Sequence, residues 1–197
     1  MAKRSLEIGG GERDTPRSLV EVIERTLALG AVVAVSFGAP SSELTVWLEE
    51  SELQTALTGD EREFILSDRR TSEQQMNMSW QSERLTVLLW ALGKIESLPE
   101  PAVPCNTSTL EALVPPYGDQ TLEEFRQTVR IRSEDELFDA ANALQDLHSI
   151  ARQRMRNVDY RPKVAAVDVE IVQERHHAIN WLVGYCGQSW DEITTDT

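Results

Sequence analysis

One four-residue signature recurs along this chain, a hydroxyl residue followed three positions later by Glu or Gln, as at Thr58 to Glu61, Ser72 to Gln75 and Ser133 to Glu136. In such a capping box the hydroxyl accepts a backbone N–H of the first helical turn, while the Glu or Gln side chain returns to the N-cap N–H. Two donors that a helix start leaves orphaned are thereby satisfied together. The signature predicts helices over about 59–67, about 73–93 and from 134 onward, and so commits most of the chain to packing helix on helix.

Apolar spacing supplies the other elements. Thr15 followed by Pro16 reads as an N-cap and first helical residue, and Leu19, Val22, Ile23, Thr26 and Leu27 recur at helical spacing up to Gly30. Ala31 to Phe37 is apolar on all sides and fits a buried helix or a buried strand, of which helix is the expectation. Ser41 and Ser42 cap a short helix presenting Leu44, Trp47 and Leu48. Behind Ser133, the positions Leu137, Ala141, Leu144, His148, Ala151 and Met155 form one stripe. After Pro162 a last helix over about 164–184 carries Val164, Val167, Ile171, Arg175, Ala178 and Leu182. Prolines 99, 101 and 104 forbid a continuous helix over 98–104, and Pro115, Pro116 and Gly118 break the chain again after a turn near Leu110. Val129 and Ile131, alternating with Arg130 and Arg132, suit a short strand or an extended connector. The expected fold class is mainly α, an irregular multi-helix single domain over 15–197 of seven or so helices with at most a short two-stranded β element. A flexible N-terminal lead is expected at 1–14, and 98–120 is where two subdomains would divide.

The charge balance narrows function more than fold. Thirty-three acidic against 19 basic residues give a formal charge of -14, a field that repels phosphate backbones, so nucleic acid is not an expected partner. No window approaches the roughly 18 apolar residues of a membrane span, and Gly9 to Gly11 stand where a signal peptide needs an apolar run. Cys105 and Cys186 are far apart with no second cysteine near either, which indicates neither a disulfide framework nor a cysteine zinc site. Cys186 reads as a small buried hydrophobe. The expectation is a soluble protein of a reducing cytoplasm. There is no Gly-rich phosphate loop and no Gly-x-Ser-x-Gly elbow, and no cofactor is indicated.

Two charged residues occupy the wrong faces of their helices. Met76, Trp80, Glu83, Val87 and Trp90 follow steps of four and three, placing a carboxylate among large apolar neighbours; Arg175 lies in the same way between Ile171 and Ala178. An ionised group out of water costs several kcal/mol, by order of magnitude, unless it is paired. Glu83 and Arg175 are therefore expected to form a structural ion pair, in which the guanidinium fork can bind one carboxylate bidentately and still donate to carbonyls. The alternative makes Glu83 a general acid or base tuned by Trp80 and Trp90. Glu174 and His177 have the Glu-x-x-His spacing of helical di-iron proteins, a weak metal candidate because no second such motif exists; Gln145 stands at the matching offset before His148. Solvated or capping roles are expected for His176 and His177, and a core position donating to a carbonyl or carboxylate for His148. Trp80, Trp90 and Trp181 read as core, while Trp47 and Trp190 are ambiguous.

Leu27 to Gly30, the step from Trp80 to Glu83 running on to Leu89, Trp90, Ala91, Leu92 and Gly93, then Glu174–Arg175, Asn180–Trp181–Leu182, Trp190–Asp191 and Asp196–Thr197 together carry a resemblance. The chain resembles, from about Val20 to its end, the bacterial family called domain of unknown function 4272. The resemblance implies one domain in a bacterial cytoplasm and carries over no catalytic residue, cofactor or partner; Ser149 stands where it leads one to expect a tryptophan after His148. Two functional readings follow. The first is a non-enzymatic interaction or accessory protein whose acidic surface recruits a basic protein partner. The second is a small hydrolase-type enzyme with Glu83, Arg175, His177 and Asp191 converging on one pocket.

Overall fold

A computed structural model describes residues 14–157 and 166–197. Among these, eight α-helices and no strand make a single mainly α domain: α1 Leu19–Ser36, α2 Ser41–Glu50, α3 Gly59–Leu66, α4 Ser72–Ala91, α5 Thr107–Leu113, α6 Leu122–Thr128, α7 Glu134–Arg156 and α8 Val169–Leu182. Three single 3-10 turns follow α2 and α8. Four long helices lie in a row, α1 on α4, α4 on α8 and α8 on α7, with α2 and α3 folded against α1 and α5 against α4. Of the lead expected at 1–14, residues 1–13 lie outside the described residues, as do Pro162 and Val164, while Asp14 accepts a hydrogen bond from Cys186 N–H.

The capping boxes position these helices, with shifts that have local causes. Thr58 and Ser133 cap α3 and α7 as their spacing predicts. The box before α4 is Thr71 to Gln74, one residue earlier than expected. α1 is capped by Ser18 and Glu21 instead of Thr15 and Pro16, because the segment before it is drawn into tertiary contacts. Helix α1 then continues through Gly30 without a break, and 12 of its 18 residues are buried, which suits a helix covered by α4 and by α2 and α3. Thr121 and Glu124 cap α6, an element that periodicity did not predict. α8 starts at Val169 behind the Asp168 cap, so Val167 precedes it. On α4 the expected stripe fails at its N-terminal end, where Met76 is exposed; burial begins at Gln81.

Residues 129–132 are an extended connector, for a reason the hydrogen bonds supply. The N–H groups of Arg130 and Arg132 donate to the carbonyls of Leu92 and Ala91 at 3.2 and 2.9 Å, and the Arg132 side chain donates to the carbonyls of Trp90 and Glu96. The Ala91 and Leu92 carbonyls are acceptors that the end of α4 leaves without a partner in the helix. Capping a helix uses the donors that a ladder would need.

The two ends of the described chain close on each other. Arg17 donates its backbone N–H to Leu182 O at 2.9 Å and its side chain to Trp181 O, with its guanidinium over the Trp181 ring. Asp14 accepts the Cys186 N–H. Gly184 lies beneath this crossing with φ +72, and a Cβ there would fall 2.1 Å from Thr15 O. Gly187 has a similar φ of +65 with nothing within 4 Å. Gly184→Ala is therefore expected to destabilise the fold by about 2–4 kcal/mol, summing left-handed strain and backbone overlap, whereas Gly187→Ala should lose only about 1 kcal/mol. Thermal unfolding of the two variants side by side checks the difference.

Candidate functional site

Glu83, midway along α4, and Arg175, midway along α8, meet where the two helices cross, each 1% exposed. Arg175 Nε donates to Glu83 Oε2 at 2.8 Å, and Nη2 lies 2.8 Å from the same oxygen. The expected two-oxygen fork is thus a contact on one oxygen. The reason is visible at Oε1, which accepts the Cys105 N–H at 2.7 Å, while Arg175 Nη1 donates to Pro99 O. The pair reaches past its own helices and holds both sides of the proline segment, which is tied again where Asp168 N donates to Pro101 O at 2.8 Å. The Cys105 thiol, next to Glu83, Ser82 and Thr86, is pushed up by burial first and by the carboxylate as well, the opposite of an activated nucleophile.

A second buried pair joins α1 to α3. Arg25 is 4% and Glu61 1% exposed. Here the contact is a true fork: Nη1 donates to Oε2 at 2.8 Å and Nη2 to Oε1, with Nη1 also donating to Ala56 O. Glu61 returns to Thr58 N at 3.0 Å as well, so one carboxylate closes a capping box and neutralises a buried arginine. The sequence signal was present, since Arg25 stands between Val22 and Leu29 on an apolar face, as Arg175 does on α8.

Around Trp190 these elements converge. Arg25 lies over its ring at 4.1 Å, and the His177 and Trp181 rings meet it edge-on at 5.0 and 5.2 Å. Trp190, ambiguous in sequence, is core at 7% exposure, and Trp47 packs half-buried against the same core. Arg84 completes the group. Its Nε pairs with Glu174 and its Nη1 lies 3.2 Å from His177 Nε2. The Glu-x-x-His step therefore faces a cation that already occupies the space between its two ligating groups, and no group of three or more His, Cys, Asp or Glu suited to a metal occurs among the described residues. Burial first, then Arg84 and Arg25, press His177 down to about 3. Asp191 is exposed; partial burial and Glu61 push its carboxyl up, while Arg25 and Arg84 oppose the shift.

The other histidines correct the sequence reading. His148 and His176, 1% and 2% exposed, face each other across the α7–α8 contact with Nδ1 atoms 3.1 Å apart. One ring must donate and the other accept, so His148 bonds to another histidine instead of a carbonyl or carboxylate, and His176 is neither solvated nor a cap. Two imidazolium ions could not share that contact. Burial and His148 hold His176 down to about 4, and burial, with Arg152 adding to it, lowers His148. Cys186 is exposed in a left-handed turn at φ 53 and is not the buried hydrophobe expected.

The four candidate catalytic groups divide between two places. Glu83 and Arg175 are enclosed in the core, whereas His177 and Asp191 belong to the Trp190 cluster. A cleft of about 350 Å³ opens elsewhere, at the C-terminal end of α1 between α2, α5 and Pro115–Pro116, and none of the four lines it. What fold and site define is a mainly α domain whose candidate reactive side chains hold one another in place. The family model described as "Domain of unknown function (DUF4272)" matches residues 6–193, beginning upstream of the resemblance at Val20, and the chain belongs to that family. No curated protein and no solved structure matches the chain.

The histidines give the fold a pH dependence. Their folded values are depressed below the ordinary 6.5, so stability is complete above about 6.5. It falls as pH drops toward 4, because the unfolded chain takes up protons that the folded one refuses. The slope should approach about 1.4 kcal/mol per pH unit for each histidine. The capping carboxylates Glu21, Glu124, Glu136 and Glu192 act only below their ordinary 4.5. Urea unfolding at pH 7.5 and 5.5 should show the loss, and His176→Gln should reduce it.

Proposed function

We propose that this chain is a non-enzymatic interaction or accessory protein, acting in a reducing cytoplasm, bacterial as the family resemblance implies, whose acidic surface recruits a basic protein partner. The observation that carries this reading is the fate of the charges. The groups best suited to chemistry are engaged with one another, Glu83 with Arg175 and Glu174 and His177 with Arg84. The acidic excess of the sequence is left for the surface, as on α7, where Glu134, Asp135, Asp139 and Asp146 are all exposed. Such a field steers a basic partner into encounter and repels acidic ones. The free thiols Cys105 and Cys186 fit a reducing compartment, and no described helix is long and apolar enough to cross a membrane. The hydrolase alternative is not favoured, because it needs Glu83 and Arg175 at a solvent-connected pocket.

Affinity capture with the full chain from its native host tests the proposal. A protein rich in Lys and Arg should be retained near 0.1 M salt and released toward about 1 M, as the screening length shrinks from about 10 Å to about 3 Å. Absence of any stable partner, or retention indifferent to salt, contradicts it.

A further inference from the structure

The cleft at the end of α1 has a built floor and an unfinished rim. Its floor, Leu44, Leu85, Leu110 and Val114, is at most 5% exposed and is built by α2, α4 and α5, Val114 being the residue that ends α5. At the rim, Phe37 and Tyr117 are 56% and 38% exposed, large aromatic surfaces left in water beside an apolar hollow. A volume of about 350 Å³ is at the lower end of the roughly 300–1,000 Å³ of ligand clefts, suited to a few side chains more than to an extended cofactor.

Charge decides what kind of side chain fits. No lysine or arginine lines the cleft, while Glu111 does. Glu43, on the first turn of α2, and Glu111 both act on the Tyr117 hydroxyl, adding to burial in raising its proton affinity. Among the described residues neither carboxylate makes an ion pair. Two unpaired carboxylates thus flank an apolar hollow in a chain of net charge -14. An acidic ligand would meet uncompensated repulsion, whereas an apolar anchor next to a cation gains both burial and charge complementarity.

We propose that this cleft is the docking site for a partner peptide segment in which a large apolar side chain lies next to lysine or arginine, the anchor entering between Phe37 and Tyr117 and the cation meeting Glu43 and Glu111. The site deepens the acidic-interaction reading and rests on it. Isothermal titration calorimetry of the full chain with an acetylated, amidated Lys-Leu-Phe-Lys-Leu-Phe peptide tests it. The same peptide with Glu, or with Ser, in place of Lys serves as comparison. The Lys peptide should bind, the Ser peptide more weakly and the Glu peptide not at all. Glu43→Lys/Glu111→Lys and Phe37→Ser, all at exposed positions, should each weaken binding at least about tenfold while leaving the melting temperature unchanged. Equal binding of the Lys and Ser peptides, binding unchanged in both variants, or no binding overturns the proposal. So does a wild-type dimer that is lost in Phe37→Ser, which would make a second copy the occupant. Capture of the native basic partner by the Glu43→Lys/Glu111→Lys protein as strongly as by wild type would overturn the cleft and leave the acidic-surface reading standing. Peptide binding that meets every criterion above, without any native basic partner, would support the cleft and remove that reading.

Discussion

The contact between Glu83 and Arg175 is the constraint around which the rest of the fold is arranged. Two charges taken out of water are tolerable only if their remaining donors and acceptors also find partners, and here those partners come from outside the two helices. The Cys105 N–H and the Pro99 carbonyl complete the pair. A segment that cannot form a helix, because of its prolines, is fixed by supplying what the ion pair lacks. The register of α4 on α8 and the path of residues 99–105 are set together.

Two further arginines extend the same logic outward. Arg25 ties α1 to α3 through Glu61, and Arg84 ties α4 to α8 a second time through Glu174. Trp190 sits where these pairs converge, and it and Ile193 bring the tail after α8 into the core. Asn180 reinforces it by donating to Thr194 O, and Arg152 by donating to Thr197. Chain ends usually fray unless something holds them; here the aromatic face of Trp190 under Arg25 and the crossing of residues 14–17 at Gly184 hold both ends of the described domain. The candidate site residues hold one another in this arrangement, and the proposed partner would be met by the surface charge and the cleft beside Tyr117.

Much of this was legible in sequence where a local rule sufficed. Capping boxes located α3 and α7, and a charge interrupting an apolar stripe singled out Glu83 and Arg175. The same rule applies to Arg25, but α1 is apolar on nearly every side, so one arginine there carries little directional information, and Glu61 already has a local role as the third residue of its capped helix. The start of α1 had two valid local signals, at Thr15 and at Ser18, and the contact of residues 14–17 with the end of α8 decided between them. Helix α6 is too short for periodicity to register, although Thr121 and Glu124 spell its cap. That His148 would face His176, or that α1, α2, α5 and the Pro115–Pro116 segment would leave a cleft, depends on which elements meet in space, and no spacing within one element encodes it.

A double-mutant cycle on the central pair tests this account most directly. Glu83→Gln keeps an oxygen for Cys105, and Arg175→Met keeps much of the volume. Each single change should reduce unfolding free energy by about 3–5 kcal/mol, because it leaves one buried charge unpaired. The double variant should lose clearly less than the sum, because no buried charge then remains uncompensated. Strictly additive losses, or a Glu83→Gln protein that unfolds like wild type, would contradict the view that this pair holds the fold together.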